Sequence, residues 1–198
     1  MDVEKSQMYK LLPKEKRNEL EMRVKEFLSN GGIEHRKKID ITQVCYSLNL
    51  QVVSMDFPSE ISDRYHGVIL VSGSDRVIGV NKIVSPRSAR FIVAHELAHY
   101  ITEYKKQKSF AFADTTCDIG SDKSDYEREI DYMAASILVK KDDFLNDLKM
   151  LNISNNTITT IEDIDDENKI NPRIIEMLAE SYGVDETVIK RRILEVLL

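Results

Sequence analysis

The chain has 198 residues, 42% of them hydrophobic, with seven Gly and four Pro, so it can bury a real core and should be mostly helical. Thirty-four acidic against 28 basic side chains give a net charge of −6, which argues against a general nucleic-acid surface. No apolar run approaches the ~18 residues of a membrane span, and the start lacks a signal-peptide core, so a soluble cytoplasmic protein off the membrane is expected.

In chain order, Pro13 to Asn30 predicts a helix with Leu20, Val24, Phe27 and Leu28 as its apolar stripe, ended by Gly31-Gly32. Asp40 and Gln43 resemble a capping box for a short second helix that turns Ile41, Val44, Cys45 and Leu48 inward. Leu50–Met55, Gly67–Val71 and Arg76–Val80 predict strands, the last two flanking a hairpin turn at Ser72-Gly73-Ser74-Asp75. A small antiparallel sheet is therefore expected ahead of the next helix. Gly67–Val71 or Arg76–Val80 could hold an extended peptide at a sheet edge, or could simply cover the helix. The two cysteines, Cys45 and Cys117, lie far apart, form no C-x-x-C and read as reduced thiols.

Ser85 to Glu103, SPRSARFIVAHELAHYITE, reads as a helix with Ser85 as N-cap and Pro86 at its first position. Phe91, Ala94, Leu97, Ala98 and Ile101 give it a face built for burial. On it lies His95-Glu96-Leu97-Ala98-His99, an H-E-x-x-H motif. Side chains four apart project from one helix face, so both imidazoles can reach one Zn²⁺. Glu96 can then take a proton from a zinc-bound water, whose pKa the metal lowers to roughly 7. Catalytic zinc usually keeps three protein ligands, so a third is required downstream.

Tyr104 to Asp122 loses periodicity and reads as a loop, with Phe110-Ala111-Phe112 either lining a cleft or anchoring the loop to the core. Asp125 to Lys140 predicts the next helix. Glu127, Ile130, Asp131, Ala134, Ile137 and Leu138 share one face, which puts two carboxylates on its apolar side. Glu127 is thus the expected third ligand, with Glu129, on a more solvated face, as the alternative. Asp131, one turn on, is placed to accept the free N–H of a ligating histidine. Thr102 and Lys105 stand where an H-E-x-x-H-x-x-G-x-x-H site needs Gly and His. The remaining histidines, His35 and His66, read as surface or loop residues. His66 is the better outside candidate for a role at the site, because Gly67 lets a backbone approach closely.

With Ala94–Tyr100 (AHELAHY), Glu127–Leu138 (EREIDYMAASIL) and the Ile78–Asn81 strand end, the chain resembles the ImmA/IrrE family of metallo-endopeptidases over roughly residues 33–145. Ile130, Met133 and Val139-Lys140 depart from the family's usual residues but lie outside the ligands. The resemblance implies a gluzincin-like site of His95, His99 and Glu127 with one Zn²⁺ and Glu96 as general base. It also implies a protein substrate: a cytoplasmic helix-turn-helix repressor of a prophage, mobile element or damage-response regulon. The same ligands accept Mn²⁺ or Fe²⁺.

Beyond a helix continuing over Lys141–Leu151, the polar stretch Ile153–Asn168 reads as an acidic linker, without the Gly and closing Glu of a Ca²⁺ loop. Residues 171–198 predict two short helices turned by Gly183, with Ala179, Gly183 and Ile189 at helix-turn-helix spacing. Four basic against five acidic residues there argue against direct DNA binding. The expected whole is an α+β fold, zincin-like helices on a small antiparallel sheet with a helical C-terminal extension. Residues 1–150 would form a zinc metallopeptidase domain and 151–198 the linker and helical pair. The alternatives are a non-catalytic protein that binds a repressor or antitoxin, and a DNA-binding regulator.

Overall fold

The computed structural model describes residues 10–60, 62, 65–114, 124–166 and 168–198. Among them are seven α-helices and one four-stranded sheet, an α+β fold with a helical C-terminal region. Helix α1 (Lys14–Asn30) buries Arg17, Leu20, Val24 and Leu28, one residue per turn. Helix α2 (Ile41–Ser47) is capped by Asp40, whose side chain accepts from the Gln43 backbone N–H.

Strands β1 (Gln51–Met55), β2 (Gly67–Ser72), β3 (Asp75–Asn81) and β4 (Ser109–Asp114) form the sheet in the order β1-β3-β2-β4. The β2–β3 hairpin turns on Gly73, whose φ of 60° suits the first position of a two-residue turn. Ile69, Val71, Ile78 and Val80 are buried at period two on one face.

Two features differ from the expected sheet. It is mixed, because β3 returns from the hairpin into the slot beside β1 and runs parallel to it. And β4 lies where a loop was expected. Ser109–Ala113 does alternate, with Phe110 and Phe112 inward and Ala111 and Ala113 exposed, but over too few residues to stand out from the lysines before it. The consequence is topological. β2 and β3, the expected docking strands, have both flanks hydrogen-bonded, and the sheet edges are β1 and β4.

Helix α3 (Pro86–Glu103) starts as its sequence predicts: the Ser85 hydroxyl accepts from the Ser88 N–H and Pro86 opens the first turn. It packs between the sheet and α4 (Asp125–Leu138), with α1 on the far side of α4. Every residue from Phe91 to Ile101 is buried. Helix α5 (Lys141–Met150), a 3₁₀ turn at Glu162–Asp165, α6 (Pro172–Tyr182) and α7 (Glu186–Leu197) complete the chain.

The stretch that reads as a linker is pinned by Ile153, Ile158, Ile164 and Ile170, all buried. The Asp163 carboxylate accepts from the backbone N–H groups of Thr159 and Thr160. Leu178, Ala179, Tyr182, Val188, Ile189 and Ile193 belong to the same continuous core as Leu20, Ile92 and Ile137. Cys45 is a free, fully buried thiol whose pKa burial pushes up to about 12, so it is chemically inert. Cys117 falls outside the described residues. No helix among those residues is long and apolar enough to cross a membrane.

Candidate metal centre

Three ionisable residues, His95, Glu96 and His99, interrupt the most buried helix of the chain, each no more than 2% exposed. Burying such groups is costly unless each is hydrogen-bonded or paired. The surroundings of the two imidazoles supply that compensation in matching ways.

The His95 Nδ1 lies 3.0 Å from Asp131 Oδ1 on α4. The His99 Nδ1 lies 3.2 Å from the Tyr126 hydroxyl, which itself donates to Glu103 Oε1 at 3.3 Å. Burial and the neighbouring Glu103 carboxylate both raise the Tyr126 pKa, so its proton stays available for that bond. In each histidine, then, the outer nitrogen carries the hydrogen and the inner Nε2 presents a lone pair, an assignment made from the hydrogen-bond network. Burial and the adjacent His95 push the His99 pKa down to about 3, so this ring is neutral at physiological pH.

The two Nε2 atoms face each other at 3.2 Å. Glu127 Oε2 stands 3.4 Å from one and 3.7 Å from the other. That oxygen is buried and accepts no hydrogen bond among the described residues. Two lone pairs and a carboxylate oxygen therefore converge with no proton to share. The three residues could hold a metal ion, and their N, N, O donor set is one that zinc accepts.

The Ser124 hydroxyl caps α4 by accepting from the Glu127 N–H, which places Glu127 in the first helical turn. Glu129 points elsewhere and pairs with Lys16 of α1 at 3.0 Å. His35 binds the Ile137 carbonyl at 2.9 Å, remote from the group. His66 precedes β2, and its carbonyl accepts from the Asn81 N–H.

Gly67, the first residue of β2, backs directly onto Glu96. A Cβ there would lie 2.4 Å from Ile92 Cγ2 and 2.7 Å from Glu96 Oε1. Ile92 is fully buried and β-branched, so it has little room to yield. The substitution Gly67→Ala should therefore displace the Glu96 carboxylate. Overpacking of this kind costs about 1–3 kcal/mol of stability. A misplacement on the order of 1 Å at a reacting group costs roughly 10²-fold in rate. A thermal melt beside a cleavage assay reads both losses, and a Gly67→Ala protein with unchanged rate would show that the carboxylate is not confined by this contact.

Phe112 stacks on His99, ring centroids 4.5 Å apart and planes at 8°, with Tyr126 beside both. Phe110 is buried against Tyr100 in the core. Of the aromatic pair, one residue anchors β4 and the other walls the metal group. Sequence reasoning left the aromatic pair either lining a cleft or anchoring a loop, and it passed over Tyr126 and Glu103. A signal for Glu103 was available: it follows His99 by four residues, on the same face of α3.

A family model described as the IrrE N-terminal-like domain, Peptidase_M78, matches residues 45–194. No curated protein matches the chain. Among solved structures, a Mycobacterium tuberculosis transcriptional regulator is similar at 16% identity and a TM-score of 0.46, over 90% of this chain and 50% of that one. The chain thus spans about half the length of that structure. With the family match running through the H-E-x-x-H helix, the Glu127 helix and most of α7, the chain belongs to the IrrE N-terminal-like family of peptidases.

Proposed function

We propose that the protein is a zinc-dependent endopeptidase that cleaves a cytoplasmic regulatory protein, a helix-turn-helix repressor by family resemblance. The observation that carries this reading is the convergence of His95 Nε2, His99 Nε2 and Glu127 Oε2 beside a buried Glu96. His95, His99 and Glu127 would hold one zinc. Bound there, zinc would supply Lewis acidity, polarising a peptide carbonyl and making a water a nucleophile near neutral pH. Glu96 has the role of general base, taking the proton of the attacking water and returning it to the leaving amine. Asp131 and Tyr126 fix the tautomers of the two histidines. The β4 edge, which carries Phe112 against His99, is placed to hold an extended segment of substrate by backbone hydrogen bonds.

A regulator that reads DNA through α6 and α7 has less support. Arg191 and Arg192 of α7 are buried in ion pairs, and Lys190 pairs with Asp165. Those cations are engaged inside the protein rather than presented to phosphates.

Elemental analysis of the purified protein tests the metal site. The wild type should carry about one zinc per chain, the usual stoichiometry of such a three-ligand site. Glu127→Ala should carry almost none. The same measurement distinguishes zinc from manganese or iron. Full zinc in Glu127→Ala would remove Glu127 from the site. No metal in either protein, even after zinc is supplied, would favour the non-catalytic binding protein.

A further inference from the structure

The C-terminal helix reaches the metal centre through one side chain. Arg191 of α7 is 8% exposed, and its Nη1 donates to Asp131 Oδ2 at 3.2 Å. The other oxygen of that carboxylate is the one 3.0 Å from His95 Nδ1. The two oxygens thus have separate tasks: Oδ1 orients the imidazole and Oδ2 is gripped by the guanidinium. Arg191 is itself held, because its Nε donates to Glu195 Oε1 at 2.8 Å. Glu195 is tied in turn to Arg192 on its second oxygen and to Arg17 of α1 through its backbone carbonyl.

We propose that Arg191 is a positioning residue of the metal centre. It locks the rotation of the Asp131 carboxylate, and through it the His95 ring. This makes α7 part of the ligand geometry rather than an appendage to it. The proposal rests on the reading of His95 as a metal ligand.

The physical case is geometric. The terminal torsion of an aspartate is broad, and a bond on each oxygen restricts its swing more than a bond on one. A guanidinium presents its donors in a rigid planar fork, and Arg191 uses two arms of it, Nη1 and Nε, on two different carboxylates. The pair is largely desolvated, with the Asp131 side chain 0% and the Arg191 side chain 10% exposed, so water competes little for its direction. An ion pair that served only to hold α7 in place would have no need to involve the carboxylate that orients His95.

The test is the zinc dissociation constant of the full chain, read by competition with a chromophoric chelator, with circular dichroism confirming the fold. Partners behind metal ligands are worth about 10–100-fold in metal affinity, and Arg191, one contact further out, should give roughly the lower figure. Arg191→Gln should weaken zinc about tenfold, and Arg191→Lys, which keeps a cation but not the fork, should recover part of that loss. Ile189→Val trims the buried apolar face of the same helix and lies outside the chain of hydrogen bonds from Glu195 to Asp131, so it should lower thermal stability and leave zinc affinity unchanged. Combining Arg191→Gln with Asp131→Asn should weaken zinc no further than Asp131→Asn alone. Wild-type zinc affinity in Arg191→Gln, or equal losses in Arg191→Gln and Ile189→Val, would overturn the proposal while leaving the metal site standing. A wild type that takes no zinc overturns both.

Discussion

Glutamine in place of Glu96 should keep the metal and lose cleavage. The carboxylate is fully buried and is not one of the three converging groups that could hold a metal, so zinc content should match the wild type. Glutamine has the same shape, which matters in a space bounded so closely by Gly67 and Ile92. What it lacks is the basic oxygen. General acid–base catalysis contributes about 10²–10⁴-fold, and the rate should fall by that order. A proteome-derived peptide library, scored by mass spectrometry for new N-termini, supplies the assay before any single substrate is identified. New termini with the wild type and none with Glu96→Gln, at equal zinc, would assign the base. Equal cleavage by both would take Glu96 out of the chemistry. Termini from neither, with zinc bound, would turn attention to a protein that binds its partner without cutting it.

The elements of the site that follow helical periodicity were legible in the sequence. His95 and His99 share a face because they are four residues apart, and Glu127 and Asp131 share one for the same reason. The choice of Glu127 over Glu129 rested on which face of α4 is apolar, and the structure places Glu129 against Lys16. What periodicity could not supply were contacts between distant segments. Phe112 reaches His99 only because β4 joins the edge of a sheet whose register is set far upstream, at Gly67–Ser72. Arg191 reaches Asp131 across 60 residues, from a helix whose charges were weighed only for DNA binding. Arginine is usually exposed, and although Arg192 shares the helical stripe of Val188, Ile189, Ile193 and Val196, nothing local in ETVIKRRILEVL marks its neighbour Arg191 as interior. The same limit explains the parallel β1–β3 pair. Strand propensity says where a strand forms but not which neighbour it finds.

The deepest of those interior arginines should dominate stability. Arg192 is fully buried and meets Glu21 of α1, Glu195 of its own helix and the Val139 carbonyl at the end of α4. Its guanidinium also lies over the Tyr132 ring, 5.3 Å from the centroid. One cation therefore joins three helices. Replacing it with methionine keeps much of the volume but leaves Glu21 and Glu195 with less positive charge to face. Breaking a buried pair by removing one partner costs about 3–5 kcal/mol. In a chain of this size each kcal/mol moves Tm by about 2–4 °C, so Arg192→Met should melt roughly 6–20 °C lower. The pH dependence gives an independent check. Burial opposes the charge on Glu21, but Arg192 outweighs it and holds this carboxyl below its ordinary pKa. A depressed carboxylate stabilises the fold above its unfolded pKa of about 4.3, and that contribution is lost as pH falls through the folded value. The deficit of Arg192→Met should accordingly be largest near neutral pH and shrink below about pH 4. A deficit that stayed constant across that range would mean that Arg192 acts by packing rather than by charge. An unchanged Tm would mean that the network it joins contributes nothing to holding α7 against α1 and α4.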